Sequence, residues 1–103
     1  MSKMLTLLGF ASKAGKLSFG MNAAISSAKA NKAKLLIVCS DVSDKSKKEV
    51  GFYSEKYKLP LRETNKTIRE ISAAVGKQCG IISVNDKGFC ESILAQEEQW
   101  NDQ

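Results

Sequence analysis

The sequence predicts an α/β protein, a three-layer α/β/α sandwich in which a single mixed sheet of about four strands carries helices on both faces. Three observations predict it. Segments whose apolar residues recur every three or four positions alternate with short strand-like segments. One of these, Lys34 to Cys39, is apolar on successive residues, the pattern of a strand covered on both faces. No Pro/Gly-rich linker or internal repeat divides the 103 residues, a length that supports one domain with one compact core.

The elements follow in order. Between Ser2 and Lys13 the apolar residues Met4, Leu5, Leu7, Leu8 and Ala11 recur at helical spacing, and Gly15 is a plausible stop. Leu17-Ser18-Phe19 alternates like a short strand and runs into a turn at Gly20. A second helix carries Met21, Ala24, Ile25 and Ala28 and ends at Asn31. The central strand then stops at Ser40-Asp41. Ser43 and Asp44 can accept from free amides at a third helix start, Ser46 with Glu49 suggests a capping box, and Val50, Tyr53 and Tyr57 keep one face apolar. Pro60-Leu61-Arg62 reads as a strand. Asn65 can cap a helix carrying Ile68, Ile71, Ala74 and Val75, which Gly76 ends. A strand from Cys79 to Val84 leads to a last helix capped by Asp86, with Phe89, Ile93 and Leu94 inward.

Composition excludes several function classes. With 43% hydrophobic and 26% charged residues the chain is neither disordered nor a collagen or coiled coil. Its longest apolar stretch, Leu35 to Cys39, falls far short of the roughly 18 residues a membrane-spanning helix needs. The apolar run near Met1 does not read as a signal peptide, because Ser12-Lys13-Ala14-Gly15-Lys16 stands where a small-residue cleavage site should be. Three cysteines without a CxxC pair then predict reduced thiols and a cytoplasmic location, with Cys39 and Cys79 as core side chains.

The sequence has no histidine, which removes Ser/His/Asp and Cys/His nucleophile systems and the commonest metal ligand. Neither GxGxxG nor GxxxxGK[ST] occurs. Ser40-Asp41 ends a central strand, where α/β enzymes often place chemistry, but no base accompanies it and it reads as a turn or helix start. No catalytic residue, cofactor or metal ligand is predicted, and the protein is not expected to be an enzyme.

The net charge is +5, distributed unevenly. Residues 1 to 40 hold six lysines and no acid, residues 41 to 89 carry +3, and the last fourteen carry −4. A polyanion would meet the N-terminal third, where cations lack internal partners; a solvated lysine face is the alternative reading. Within that third, Gly20 and Asn22 sit where a strand passes into a helix. Glycine permits close backbone approach, helix-start amides attract phosphate, and asparagine can pair with base edges or sugars. Lys13, Lys16 and Lys29 would add salt-dependent attraction. On these residues alone, Gly20 as a simple turn and Asn22 as a first-turn helix residue fit equally well.

The run Gly15-Lys16-Leu17-Ser18-Phe19-Gly20-Met21-Asn22-Ala23, continued by Ala33 to Val42, resembles the ribosomal L-seven-Ae and L-thirty-e superfamily of kink-turn RNA-binding proteins. Leu5 to Leu8 with Ala14-Gly15-Lys16 resembles its bacterial branch, Leu59-Pro60-Leu61 its third strand, and Ile71 to Gly76 its fourth helix. The order and spacing of these pieces carry the resemblance. It implies a non-catalytic, ribosome-associated protein recognising a kink-turn-like or otherwise structured RNA. The family's G-x-N-E-x-x-K signature falls on Gly20, Met21, Asn22, Ala23 and Ser26: Gly20 and Asn22 match, whereas Ala23 replaces the acid that accepts from guanine edges and Ser26 the lysine that meets phosphate. A second RNA-facing loop falls on Gly76-Lys77-Gln78-Cys79, more polar than the family's pattern.

The implied RNA-binding set is Lys13, Lys16, Gly20, Met21, Asn22, Ser26, Lys29, Lys77 and Gln78. It lies in one RNA-binding domain, residues 1–96, followed by a polar, frayed tail, 97–103, whose Trp100 either folds back or plays no part. The expected partners are structured RNA, chiefly ribosomal RNA, and ribosomal proteins, with no DNA or membrane, and the expected state is a monomer. The alternative is a protein-interaction or assembly module of the same superfamily that has lost kink-turn recognition. Ala23 and Ser26 favour that alternative; the acid-free first forty residues favour RNA.

Overall fold

A computed structural model describes residues 2–96 and Trp100. They form α1 (Lys3–Lys13), β1 (Leu17–Phe19), α2 (Met21–Lys29), β2 (Leu35–Val38), α3 (Asp44–Lys56), β3 (Leu61–Glu63), α4 (Ile68–Val75), β4 (Ile81–Val84) and α5 (Lys87–Leu94). The sheet order is β1-β4-β2-β3, with β4 antiparallel to both neighbours and β2 parallel to β3. The expected mixed four-stranded sandwich is therefore the observed one. Every residue of β2 and β4 is buried, as doubly covered strands require, and Leu36 and Val38 are each only 2% exposed.

The sheet's two faces bury separate apolar clusters where the sequence suggested one core. On one face Met4, Leu8 and Ala11 of α1, Ile71 and Val75 of α4, and Cys90 and Ile93 of α5 pack on Leu35, Ile37, Ile82 and Val84. The other face holds Ala24 of α2 and Val50 of α3 against Leu36, Val38 and Ile81. Alternation along β2 and β4 sends successive side chains to opposite faces, so one strand feeds both clusters. Gly9 lets α1 lie close on α4, since a Cβ there would stand 3.1 Å from the Ala74 carbonyl oxygen.

Several boundaries differ from the sequence reading. Strand β3 begins one residue late because Pro60 has no N–H; its carbonyl still accepts from Leu36 at 2.9 Å. Strands β2 and β4 are shorter at their ends than the apolar runs that announced them. Thr67, not Asn65, caps α4, in a capping box with Glu70. For α3 the cap is Ser43, whose hydroxyl accepts from the Ser46 amide at 3.3 Å, so Ser46 lies inside the helix rather than starting a box with Glu49. Asn31 takes the left-handed conformation, φ 63°, just beyond α2.

Trp100 forms an antiparallel bridge with Thr64 and packs against the larger cluster. The rest of the expected frayed tail, 97–99 and 101–103, lies outside the described residues.

Candidate nucleic-acid interface

At the end of β1 the Gly20 amide donates to the Ile81 carbonyl at 2.7 Å. The chain then turns with Gly20 at φ 92°, ψ 163°, a region closed to L side chains. A Cβ on Gly20 would meet nothing within 4 Å, so the backbone angle rather than crowding demands glycine, and the space in front of it is open. The helix that follows has no side-chain cap, whereas Ser2, Ser43, Thr67 and Asp86 cap the other four. The first amide of α2 to bond within the helix is that of Ala24, to Gly20 oxygen at 2.9 Å. Those of Met21, Asn22 and Ala23 have no acceptor among the described residues. They point outward from the positive end of the helix dipole, with the Asn22 and Ala23 side chains exposed beside them.

A second segment comes to the same end of the sheet. Gly76, left-handed at φ 80°, ends α4 and releases Lys77 and Gln78, both exposed. The Lys77 ammonium stands 5.6 Å from the centroid of Phe19, the residue before Gly20. Gln78 shares a hollow of about 400 Å³ with Asp41 and Arg69. The Asp41 carboxylate accepts from the Ile68 amide at 2.8 Å, so Ser40-Asp41 serves a helix start, that of α4 across 27 residues.

Along α2, Asn22, Ser26 and Lys29 are spaced four and three apart and form an exposed stripe about 10 Å long. Ala23 and Ser26 line an open basin of about 890 Å³ together with Lys16, Lys32 and Lys34. The sequence did not single out Lys32, Lys34 or the neighbouring Asn85; the acid-free charge of the first forty residues pointed only towards the two lysines. Lys13 sits elsewhere. It belongs to the other helical layer, where it lines a groove between α1 and α4 with Phe10 and Glu70. The structure thus gathers Gly20, Met21, Asn22, Lys77 and Gln78 at one end, continues through Ser26 to Lys29 and Lys16, and sets Lys13 apart.

The remaining chemistry is quiet. Burial, and secondarily Cys79 and Asp41, pushes the Cys39 thiol up to about 12; burial likewise raises Cys79 and Cys90. All three are neutral, enclosed thiols at physiological pH. Among the described residues no cluster of three His, Cys, Asp or Glu could hold a metal ion, and no helix is long and apolar enough to cross a membrane.

Comparison with known proteins places this geometry. The chain is 34% identical over 89 residues to a protein of Enterococcus faecium named RNA-binding protein YlxQ, covering 86% of this chain and 85% of the relative. A Bacillus halodurans protein of unknown function superposes with a TM-score of 0.89 at 26% identity, over 96% of this chain and all of the other. The 15.5kD RNA binding protein of Giardia lamblia shares the fold with a TM-score of 0.71 at 15% identity, over 89% of this chain and 79% of that one. The pattern of the Ribosomal protein L7Ae/L30e/S12e/Gadd45 family matches residues 2–93, and this chain belongs to that family.

Proposed function

We propose that the protein binds structured RNA, ribosomal RNA above all, as a non-catalytic ribosome-associated protein of the cytoplasm. The uncapped start of α2 beside the Lys77-Gln78 loop carries the reading. Three unclaimed amides, an exposed Asn22 and a nearby ammonium form a surface of donors that suits a sharply bent, kink-turn-like phosphate backbone. The family and the name of the Enterococcus relative support RNA as the partner. With Ala23 unable to accept from a guanine edge, lysines and backbone amides supply most of the affinity, so binding falls steeply with salt.

Binding of a kink-turn RNA and of an unkinked duplex, measured over a range of salt, tests this. Asn22→Ala should weaken binding by roughly tenfold, about one hydrogen bond to a charged group. Salt-independent binding, or a folded Asn22→Ala variant with unchanged affinity, would remove the α2 start from the interface.

One observation favours a protein-interaction module instead. An apolar groove of about 400 Å³ between α1 and α4 is rimmed by Phe10, 57% exposed. On that reading Phe10→Ser, and not Asn22→Ala, would release the protein from native ribosomal fractions.

A further inference from the structure

We propose that the basin between β1 and α2 is a second anion site, which takes a phosphodiester stretch of the RNA docked at the α2 start; this rests on the RNA-binding reading above. The sheet builds it. Val84 of β4 pairs with Leu17 on one side and Leu35 on the other, so Lys16 and Lys34, each one residue outside its strand, are brought to either side of Asn85. Their backbones are fixed there: the Asn85 amide donates to Lys16 oxygen at 2.8 Å and the Lys34 amide to Val84 oxygen at 2.7 Å. Lys32 joins them because its own amide turns back to Ser27 oxygen at 2.9 Å after the left-handed Asn31.

The polar groups between these lysines present protons and hide acceptors. Asn85 Oδ1 is occupied by the Ser27 and Ser83 hydroxyls, at 2.7 and 2.9 Å. That fixes the amide with Nδ2 towards Ser18, whose oxygen it reaches at 2.9 Å. Ser18 therefore keeps its own proton to donate, and the Ser26 hydroxyl, unlike its carbonyl, which accepts from the Ala30 amide at 3.0 Å, has no hydrogen-bond partner among the described residues. Among the described residues no carboxylate lines the basin. A surface of three ammonium groups and outward donors fits phosphate and suits neither a base edge, which needs acceptors as well, nor a cationic peptide. The basin also explains the short side chains at 23 and 26. Ala23 and Ser26 leave the floor clear, and cations reach the phosphate from the far rim rather than from α2. The basin continues into the α2 start, so one backbone can cross both over about 10 Å, roughly three nucleotide steps of a duplex strand.

The test compares wild type with Lys32→Gln/Lys34→Gln and with Asn22→Ala, each shown to be folded by circular dichroism. Each phosphate contact contributes about 0.7 to 0.9 to the slope of log affinity against log salt, so the double variant should lose about 1.4 to 1.8 of slope and roughly 25- to 60-fold in affinity near 0.1 M salt. RNA should also perturb the NMR amide signals of Lys16, Lys34 and Asn85. A double variant with unchanged slope, while Asn22→Ala is impaired, overturns the basin and leaves the RNA reading standing. Pyrophosphate that binds the basin without being displaced by RNA identifies a small phosphate ligand and overturns the RNA-backbone assignment. An acidic peptide that binds there in preference to both does the same. A wild type that binds no structured RNA removes both readings together.

Discussion

Helices α2 and α4 start at the same end of one sheet and on opposite faces, and they start differently. At α4 side chains take the amides on either side of the start: the Thr67 hydroxyl accepts from the Glu70 amide at 3.2 Å, the Glu70 carboxylate accepts from the Thr67 amide at 3.0 Å, and Asp41 takes the Ile68 amide. At α2 a glycine stands where the cap should be, and three amides face outward. A folded chain gains roughly 1 kcal/mol from a good cap, so an uncapped start gives up stability that a Ser or Asp would have supplied. Gly20 could not simply be exchanged for one, because its backbone angles exclude a side chain. The α2 start is thereby left available to an external acceptor.

The packing of the two layers differs in the same sense. The α1, α4 and α5 layer buries long side chains such as Met4, Leu8, Ile71 and Ile93 without residual exposure. The α2 and α3 layer rests on Ala24 and Val50, and α3 buries one residue of its thirteen. Helix α2, at the proposed RNA interface, is held more lightly than the scaffold behind the sheet.

Substitution of Gly20 by Asp should break the comparison most completely. The strained backbone costs about 1 to 3 kcal/mol of stability. The new carboxylate also claims the amides of α2 and repels phosphate, so RNA affinity should fall by roughly thirtyfold or more, the equivalent of at least one charge-assisted hydrogen bond. Gly20→Ala separates the two effects: it carries the strain without the charge, and should bind RNA within a few-fold of wild type once folded. Chemical denaturation and RNA titration of the two variants check this. Equal RNA affinity in Asp and Ala variants would mean that the amides of α2 do not meet the ligand.

Restoring the family's signature should sharpen the site by somewhat less. Ala23→Glu with Ser26→Lys supplies an acceptor for guanine edges and a cation for phosphate, on positions three apart along one helix face. A good bidentate base contact is worth about 1 to 3 kcal/mol of discrimination in DNA, which would be a five- to hundredfold gain in preference for a kink-turn over a plain duplex. The basin adds a condition. Residues 23 and 26 both line it alongside Lys16, Lys32 and Lys34, so the new acid and the new lysine offset each other there and the salt dependence of binding should change little. Specificity would rise with general affinity for RNA little changed, an outcome that titrations with both RNAs at two salt concentrations would reveal.

Periodicity made most of the fold legible. Leu35 to Val38 announced its double burial through an unbroken apolar run, and Ser2 and Asp86 lie where helix starts were expected. Local pattern failed where two registers looked alike. Ser46-x-x-Glu49 and Thr67-x-x-Glu70 carry the same signal, yet only the second is a capping box, because Ser43 already begins α3 one turn earlier. Asp41, remote in sequence, holds the first amide of α4. Of the candidate site, Gly20 and Asn22 were legible in the sequence, because a strand-to-helix turn marks them. Lys32, Lys34 and Asn85 were not, because β4 joins them to Lys16 only through its pairing with both β1 and β2.

The smallest expected effect lies at the sealed start. Thr67→Ala removes the hydroxyl that accepts from Glu70, and should cost about 1 kcal/mol in urea unfolding. RNA affinity should stay unchanged, since α4 packs on the face of the sheet opposite α2. The acid partner makes the box sensitive to pH. The Thr67 backbone amide, followed by the Thr67 hydroxyl and Lys66, holds the Glu70 carboxyl below its ordinary 4.5. A group with a lowered folded pKa contributes stability that is present above the unfolded value and disappears as pH falls through the folded one. Glu70→Gln should therefore be less stable than wild type at neutral pH, and the gap should close as the solution is taken below the usual carboxylate range. A gap that persisted unchanged into acid would mean that the Glu70 charge adds nothing to the box, and that α4 is held by Thr67 and Asp41 alone.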